Sequence, residues 1–155
     1  MNAPDLRTLA RRYVALGNAR DFDGLTAIRT DDFQAHVPRN GPLDDAEPID
    51  GAALNADLKM VVTAFPDLVS EEADILADGD RVMIRTKLVG THRGALGTVP
   101  PTDRVIAWDT VQILRADGGR VAEAWFITDT LGLLRQAKAV TILAAPPDAE
   151  NAMMQ

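Results

Sequence analysis

Asp129 is the residue of this chain best placed to do chemistry, because it lies where a predicted strand ends and a short helix begins. Side chains two residues apart share one face of a strand, and one face here is formed by Val121, Glu123, Trp125, Ile127 and Asp129. This face is mostly apolar and ends in a carboxylate. On a strongly curved sheet it would line a cavity, where the carboxylate could take up and return a proton. The alternative is that Asp129 caps the helix of sequence TLGLLRQ and remains in solvent.

The composition excludes several classes of protein and of site. The chain has 155 residues, enough for one domain with its own core, and it has no cysteine, which excludes disulfides, thiolate metal sites and a cysteine nucleophile. Its net charge of −7 argues against binding to nucleic acid. The first residues contain no apolar core of a signal peptide, and no apolar run has the length of a membrane helix. We therefore expect a cytoplasmic protein without a membrane partner.

The pattern of apolar residues changes along the chain from helical spacing to strand alternation. It predicts helices over residues 4–20, 21–33 and 51–65, an extended segment over 33–38, a polar loop over 39–49, strands near 68–77, 80–92, 103–115 and 119–129, and a short helix ending near 139. Helices followed by strands indicate an α+β domain, with an antiparallel sheet backed by helices on one side. We expect this domain to span residues 1–140, with a flexible tail over 141–155.

Several short sequences along the chain occur in an order and spacing that is found together in one family. They are AFPDL at 64–68, GDRV at 79–82, GTHRG at 90–94, PPT at 100–102, ILR at 113–115 and GGRVAEAWFITDTLGLLRQ at 118–136. With them the chain resembles the SnoaL-like polyketide cyclases, which are ester cyclases, over residues 5–137. The resemblance implies the cone-shaped fold of nuclear transport factor 2, in which a strongly curved, mostly antiparallel sheet wraps around three N-terminal helices and a short C-terminal helix follows.

The resemblance also implies roles for single residues. Asp129 falls on the general acid/base of the cyclases, and Gln112 falls where the family carries a histidine. Glutamine forms hydrogen bonds but carries no proton at neutral pH, so a second titrating group would have to be His92 or His36. The alternatives are that His92 is hydrogen-bonded to a loop for structural reasons, and that His36 is a wall residue without a chemical role. Their spacing with Asp129 is no recognised metal motif, and we predict no metal site.

The N-terminal part also resembles ketosteroid isomerase, whose oxyanion tyrosine would fall on Tyr13. The catalytic aspartate of that isomerase has no counterpart here, so Tyr13 is either a cavity residue or a packed core residue. We predict that the substrate is contacted by residues with aromatic rings, namely Tyr13, His36, Phe65, Trp108 and Trp125.

The predicted function is acid/base chemistry without a metal or organic cofactor. Asp129 would take a proton beside a carbonyl of a hydrophobic, polyketide-like substrate, and the enolate would close on a second carbonyl in an aldol-type cyclisation. One alternative is that the same cavity activates water for hydrolysis, hydration or hydroxylation. Another is a ligand-binding module without catalysis, which the glutamine at position 112 favours. The resemblance further implies a homodimer that associates through the sheet faces.

Overall fold

The structure, a computed structural model, describes residues 2–37 and 47–141. Its elements in chain order are α1 (Ala3–Ala19), α2 (Phe22–Ala27), β1 (Arg29–His36), α3 (Gly51–Ala64), β2 (Val69–Asp78), β3 (Arg81–Thr91), β4 (Val105–Asp117), β5 (Arg120–Thr128) and α4 (Thr130–Gln136). The prediction of an α+β fold with a short C-terminal helix is confirmed. Most of the predicted loop over 39–49 and nearly all of the predicted tail lie outside the described residues.

The five strands form one curved sheet in the order β1-β5-β4-β3-β2. Three of the strand pairs are antiparallel, and the β3–β4 pair keeps an unbroken register from Arg81 opposite Arg115 to Thr91 opposite Val105. The edge strand β1 pairs with β5 in parallel. Helices α1, α2 and α3 pack against the inner face of the sheet. Among the described residues no helix is long and apolar enough to cross a membrane.

The predicted second helix is wrong beyond residue 27. Helix α2 ends at Ala27, and residues 29–36 form β1 instead. The local reason is the burial of Phe33 and Ala35, which alternate with exposed Gln34 at the spacing of a strand. The decisive reason is long-range, because Gln34, Ala35 and His36 pair with residues of β5 that are about ninety positions away in the chain. A window of local sequence contains no trace of that pairing.

Strand β5 contains a bulge that changes which side chains face the helices. Arg115 of β4 lies opposite Glu123, but Ala116 lies opposite Val121, so β5 has one extra residue at Ala122. Val121 and Ala124 consequently both point into the core. The prediction that Val121 shares its face with the alternate residues up to position 129 is therefore wrong, because the bulge shifts the alternation by one position.

The core consists of two clusters of buried apolar side chains. The first joins α1, α2 and β1 to the inner face of the sheet, with Leu6, Tyr13, Leu25, Phe33, Ile84 and Leu114 among its members. The second lies under the end of α3 and under α4, and includes Phe65, Leu68, Ile106, Trp108 and Leu133. Two separate clusters leave room between them for a cavity.

Two helices begin with the same local device, an aspartate followed three positions later by a glycine. Asp21 accepts a hydrogen bond from the Gly24 amide at the start of α2, and Asp129 accepts one from the Gly132 amide at the start of α4. A Cβ atom at either glycine would collide with the capping carboxylate. Glycine at the third position therefore lets the carboxylate approach the first turn closely.

Candidate functional site

A cavity of about 110 Å³, partly open to solvent, lies between the two core clusters, among the helices and the inner face of the sheet. Its walls are mostly apolar and include Val14 of α1, Leu58 and Val62 of α3, Leu88 of β3 and Phe126 of β5. An engineered protein cavity of roughly 150 Å³ holds one benzene ring. This cavity is smaller, so it is better suited to a short apolar segment of a ligand than to a whole ring.

Gln112 brings an unpaired polar group to the cavity wall. It lies on the inner face of β4, opposite Ile84 of β3 and Phe126 of β5. Its Oε1 atom is buried and has no hydrogen-bond partner in the described part of the chain. A buried acceptor without a donor costs free energy, and a ligand with a hydroxyl or amine would remove that cost. The polar chemistry of the cavity is centred on this amide.

Tyr13 lines the cavity from α1 and is almost fully buried. Its hydroxyl oxygen accepts a hydrogen bond of 2.6 Å from the guanidinium of Arg29, which belongs to β1. Burial raises the pKa of Tyr13, and the charge and hydrogen bond of Arg29 offset only part of that rise. The phenol is therefore neutral, and its proton is available for donation because arginine provides only donors.

One rim of the cavity is closed by hydrogen bonds between the end of α1 and the start of β2. Arg20, in a left-handed conformation after α1, donates to the backbone carbonyls of Asn18, Pro66 and Leu68. The amide side chain of Asn18 forms a pair of hydrogen bonds with the backbone of Ser70. Polar groups at this rim are thus occupied by the fold, which leaves Gln112 as the unpaired group deeper inside.

Asp129 does not line the cavity. Its carboxylate is exposed, and Oδ1 accepts a hydrogen bond of 2.8 Å from the amide of Gly132 at the start of α4. The preceding residue, Thr128, lies on the inner face, where its hydroxyl is 3.3 Å from that of Thr110. The expectation that Asp129 faces the cavity is therefore wrong, and the capping position, the alternative from the sequence, is observed.

His92 also lies away from the cavity, fully buried in the region of the second core cluster. Its Nδ1 is 3.1 Å from the hydroxyl of Thr102, and its ring stacks on Phe65 with 5.1 Å between ring centroids. The geometry supports the alternative in which His92 has a structural role. Its hydrogen-bond partner is the hydroxyl of Thr102 and not a loop carbonyl. Phe65 and Trp108 pack against each other in the second cluster and do not line the cavity, contrary to the expectation that they contact a substrate.

His36 and Trp125 lie on the outer face of the sheet, so the expectation that they contact a substrate in the cavity is also wrong. Their rings stack in parallel with centroids 5.0 Å apart, and the guanidinium of Arg81 lies 4.9 Å from the Trp125 ring. His36 Nε2 is 2.8 Å from one carboxylate oxygen of Glu123, and Arg115 donates to the other at 3.0 Å. The physical reason is again the bulge in β5, which turns Glu123 and Trp125 outward.

The partners of Glu123 decide its ionisation. Partial burial would raise the pKa of Glu123, but the hydrogen bonds and charges of His36 and Arg115 outweigh it, so the pKa is lowered. The carboxylate is therefore held in its charged form.

Two of the predicted site residues, Tyr13 and Gln112, line the cavity. The others lie outside it: His36 stacks on Trp125, Phe65 packs against His92 and Trp108, and Asp129 caps α4. Among the residues that the structure describes, no three side chains of histidine, aspartate or glutamate come close enough to share a metal ion. The sequence reasoning missed Arg29, because it assigned this residue to a helix. The alternation from Phe33 to Ala35 could have revealed the strand, but nothing in the sequence indicates that Arg29 at its start is buried.

A family model described as SnoaL-like polyketide cyclase matches residues 7–137. The chain belongs to this family. No curated protein is similar enough to count as a match. Since most of the SnoaL-like chain is covered, the family assignment includes the cavity, the sheet and α4.

Solved structures support the same fold for this SnoaL-like chain. AclR from Streptomyces galilaeus, a hydroxylase candidate, is 25% identical with a TM-score of 0.81, and the match covers 98% of this chain and 91% of AclR. IdmH from Streptomyces antibioticus, a polyketide cyclase candidate, is 26% identical with a TM-score of 0.75, covering 85% and 97%. A SnoaL-like protein from Jannaschia is 20% identical with a TM-score of 0.77, covering 90% and 95%, and shows the fold alone. The cone-shaped architecture is thereby confirmed.

The capping role of Asp129 predicts different effects for two substitutions. Asp129→Ala removes the acceptor for the Gly132 amide and should lower the free energy of unfolding by about 1 kcal/mol. Asp129→Asn keeps an acceptor of similar capping strength and should leave stability nearly unchanged. Urea unfolding of both variants provides the measurement. Equal losses in both variants would contradict a role limited to capping.

The position of Glu123 predicts a specific dependence of stability on pH. A carboxyl group whose pKa is lowered by folding contributes stability above its unfolded pKa, about 4.3, and this contribution is lost as the pH falls through the lower folded value. Glu123→Gln should therefore lower stability at neutral pH by about 1 kcal/mol and reduce the loss between pH 5 and pH 2, roughly the range in which such carboxyls titrate. Thermal unfolding across this range tests it, and an unchanged slope would argue against the pairing.

Proposed function

We propose that this chain is a cyclase- or isomerase-type enzyme that binds a hydrophobic, carbonyl-bearing small molecule in the interior cavity and promotes an aldol-type cyclisation without a cofactor. The observation that carries the proposal is the unpaired amide oxygen of Gln112 in a mostly apolar cavity. Membership of the SnoaL-like polyketide cyclase family supports it, as does the likeness to IdmH, a polyketide cyclase candidate.

The cavity contributes to such a reaction through position and polarisation. An apolar wall that folds a dicarbonyl chain brings the enol carbon close to the second carbonyl, which lowers the entropic part of the barrier. The unpaired Oε1 of Gln112 can accept a hydrogen bond from the hydroxyl of an enol, and the neutral phenol of Tyr13 can donate one to a carbonyl oxygen. In the closing step the enol carbon bonds to the second carbonyl carbon, the enol hydroxyl releases its proton as it becomes a carbonyl again, and the oxygen of the second carbonyl takes up a proton.

The family resemblance assigns the proton transfer to Asp129, whereas its exposed capping position favours transfer to and from water. The Asp129→Asn variant separates the two, because it keeps the cap and removes the base. We expect its turnover to stay close to that of the parent chain. A loss of about 100-fold or more at unchanged stability, the usual scale for an acid/base residue, would assign the proton transfer to Asp129.

Gln112→Leu tests the proposed site directly. With acetonylacetone, a linear diketone, as the probe, the parent chain should increase the rate of cyclisation to methylcyclopentenone with loss of water. Gln112→Leu should lower that rate by about tenfold or more, the cost of roughly one hydrogen bond, while leaving stability equal or higher, because an unpaired buried acceptor is removed. Gln34→Leu, at an exposed position of β1, is the matched control and should change neither quantity. Equal rates for both variants would exclude Gln112 from the reaction.

Two specific observations favour other functions for the same cavity. In the part of the chain that the structure describes, no carboxylate or imidazole lines the cavity, which favours a ligand-binding module without catalysis. The likeness to AclR, a hydroxylase candidate, favours a reaction that adds oxygen. Mass spectrometry of the probe separates the three: cyclisation removes one water, hydroxylation adds one oxygen, and a binding module leaves the mass unchanged although the probe binds.

We also propose that two copies of the chain associate through the outer face of the sheet. One row of side chains, Leu76, Met83, Ile113 and Trp125, runs across four neighbouring strands at matched register. Leu76 in this row is 56% exposed and Ile127 of β5 is 51% exposed. An apolar strip of this kind is typical of an interaction surface. A second copy fits it because the same strip can pair with itself around a twofold axis.

Charge placed in this strip should prevent association. Leu76→Asp should convert a dimer to a monomer, because association would bury an unpaired carboxylate. Met60→Asp, at an equally exposed apolar residue on α3, is the matched control and should remain dimeric. Light scattering coupled to size-exclusion chromatography gives the mass. A parent chain that is monomeric at high concentration would refute this association.

A further inference from the structure

A second hollow, of about 590 Å³, opens between α2, β1 and the start of α3. It shares no lining residue with the interior cavity. Its lining includes Thr30, Asp31, Asn55, Lys59 and Arg120, and Arg29 lies at its base. The proposed reaction does not use this hollow, so its charge and its unpaired groups need a separate explanation.

Arg29 is a buried cation without a counter-charge. It is only 3% exposed, and its guanidinium donates to the carbonyl of Gly51, to Oδ1 of Asn55 and to the hydroxyl of Tyr13, which are all neutral. The Nε atom has no partner, and no described carboxylate forms an ion pair with this side chain. The ring of Phe33, 4.7 Å from the guanidinium carbon, gives partial compensation. A buried charge without an anion is costly.

Two further cations line the same hollow. Lys59 is exposed and lies against the ring of Phe22, and it forms no ion pair within the described residues. Arg120 donates to the backbone carbonyl of Arg29 and to the carboxylate of Asp31, whose side chain is 97% exposed. The hollow is lined by three cations, Arg29, Lys59 and Arg120, and by two carboxylates, Asp31 and Asp50, so it has an excess of one positive charge in a chain whose net charge is −7.

Neutral donors complete the lining. The hydroxyl of Thr30 is buried without a hydrogen-bond partner. Helix α3, with 14 residues, begins at Gly51 beside the guanidinium of Arg29, so the positive end of its dipole points toward the hollow. The cap of this helix, Asp50, uses Oδ1 for the amide of Ala53. Cations, a free hydroxyl and a helix N-terminus are the groups that bind oxyanions in proteins.

We propose that this hollow is a binding site for a small oxyanion, with a phosphate group as the best match, held by Lys59, Arg120 and the first turn of α3 above the buried charge of Arg29. A phosphate group suits the site because its several oxygens can accept from donors that converge from three elements. The bound anion would supply the counter-charge that Arg29 lacks. Since Arg29 also holds the hydroxyl of Tyr13, the site adjoins the interior cavity through a single hydrogen bond.

The test compares melting temperatures in phosphate and in potassium chloride at equal ionic strength. Phosphate stabilises most proteins by exclusion from their surfaces, so the informative quantity is the difference between variants. The double variant Lys59→Gln with Arg120→Gln removes two cations from the hollow. Its matched control, Lys87→Gln with Arg85→Gln, removes two exposed cations from β3, one of them likewise paired with an exposed aspartate, Asp109.

We expect saturating phosphate to raise the melting temperature of the parent chain and of the control by about 3 to 5 °C more than that of the Lys59/Arg120 variant. An equal rise in all three proteins would overturn the proposal, because general exclusion would then explain it. Acetate provides a second arm. A specific rise with acetate but none with phosphate would overturn the assignment to a phosphate group in favour of a carboxylate.

Tyr13 supplies a second readout, because it is the only tyrosine in the chain. An anion beside Arg29 reduces the electrostatic stabilisation that this cation gives to the Tyr13 phenolate. Phosphate should therefore move the midpoint of the Tyr13 titration, followed by phenolate absorbance, to higher pH. The shift should be absent in the Lys59/Arg120 variant. An unchanged midpoint in the parent chain would contradict a site at Arg29. Neither readout depends on turnover, so the result stands apart from the proposed function.

Discussion

The bulge at Ala122 in β5 is the constraint on which the arrangement of this molecule depends. One extra residue places Val121 and Ala124 on the inner face and turns Glu123 and Trp125 outward. From the bulge onward, the inner face presents Phe126 to the cavity, while the outer face presents a stacked and ion-paired surface. Side chains alternate strictly in a regular strand, so without the bulge Val121 would share a face with Glu123 and Trp125 and could not lie in the core while they face outward.

The second organising feature is the buried guanidinium of Arg29, which joins two hollows that share no lining residue. It contacts the first turn of α3 through Gly51 and Asn55, and it contacts α1 through Tyr13. The rings of Tyr13 and Phe33 flank its charge. A single side chain therefore links β1 to α1 and α3 through hydrogen bonds. Because its partners are neutral, the electrostatics of this region respond to any anion that approaches.

Whether a site residue was predicted correctly depends on whether local or long-range interactions determine its position. Gln112 was expected in the cavity from the resemblance, and it lies there because the β3–β4 and β4–β5 pairs around it keep their register. The resemblance could place Tyr13 near the cavity. Its hydrogen bond to Arg29 could not be predicted, because it joins two elements, α1 and β1. An aromatic ring is equally compatible with a cavity wall, a packed core and the outer face of a sheet. This applies to His36, Phe65, Trp108 and Trp125. Only packing distinguishes these environments.

The sequence by itself determined the family, the α+β architecture and the positions of α1, α3 and four of the strands, because these follow from local periodicity and the order of short motifs. For Asp129 it offered two alternatives, a cavity residue and a helix cap. The tertiary structure alone decided that β1 begins as early as Arg29 and pairs with β5, that β5 contains a bulge, that Arg29 is buried and that Asp129 lies outside the cavity. Each of these depends on backbone pairing or packing between segments far apart in the chain, and no local window contains the partner.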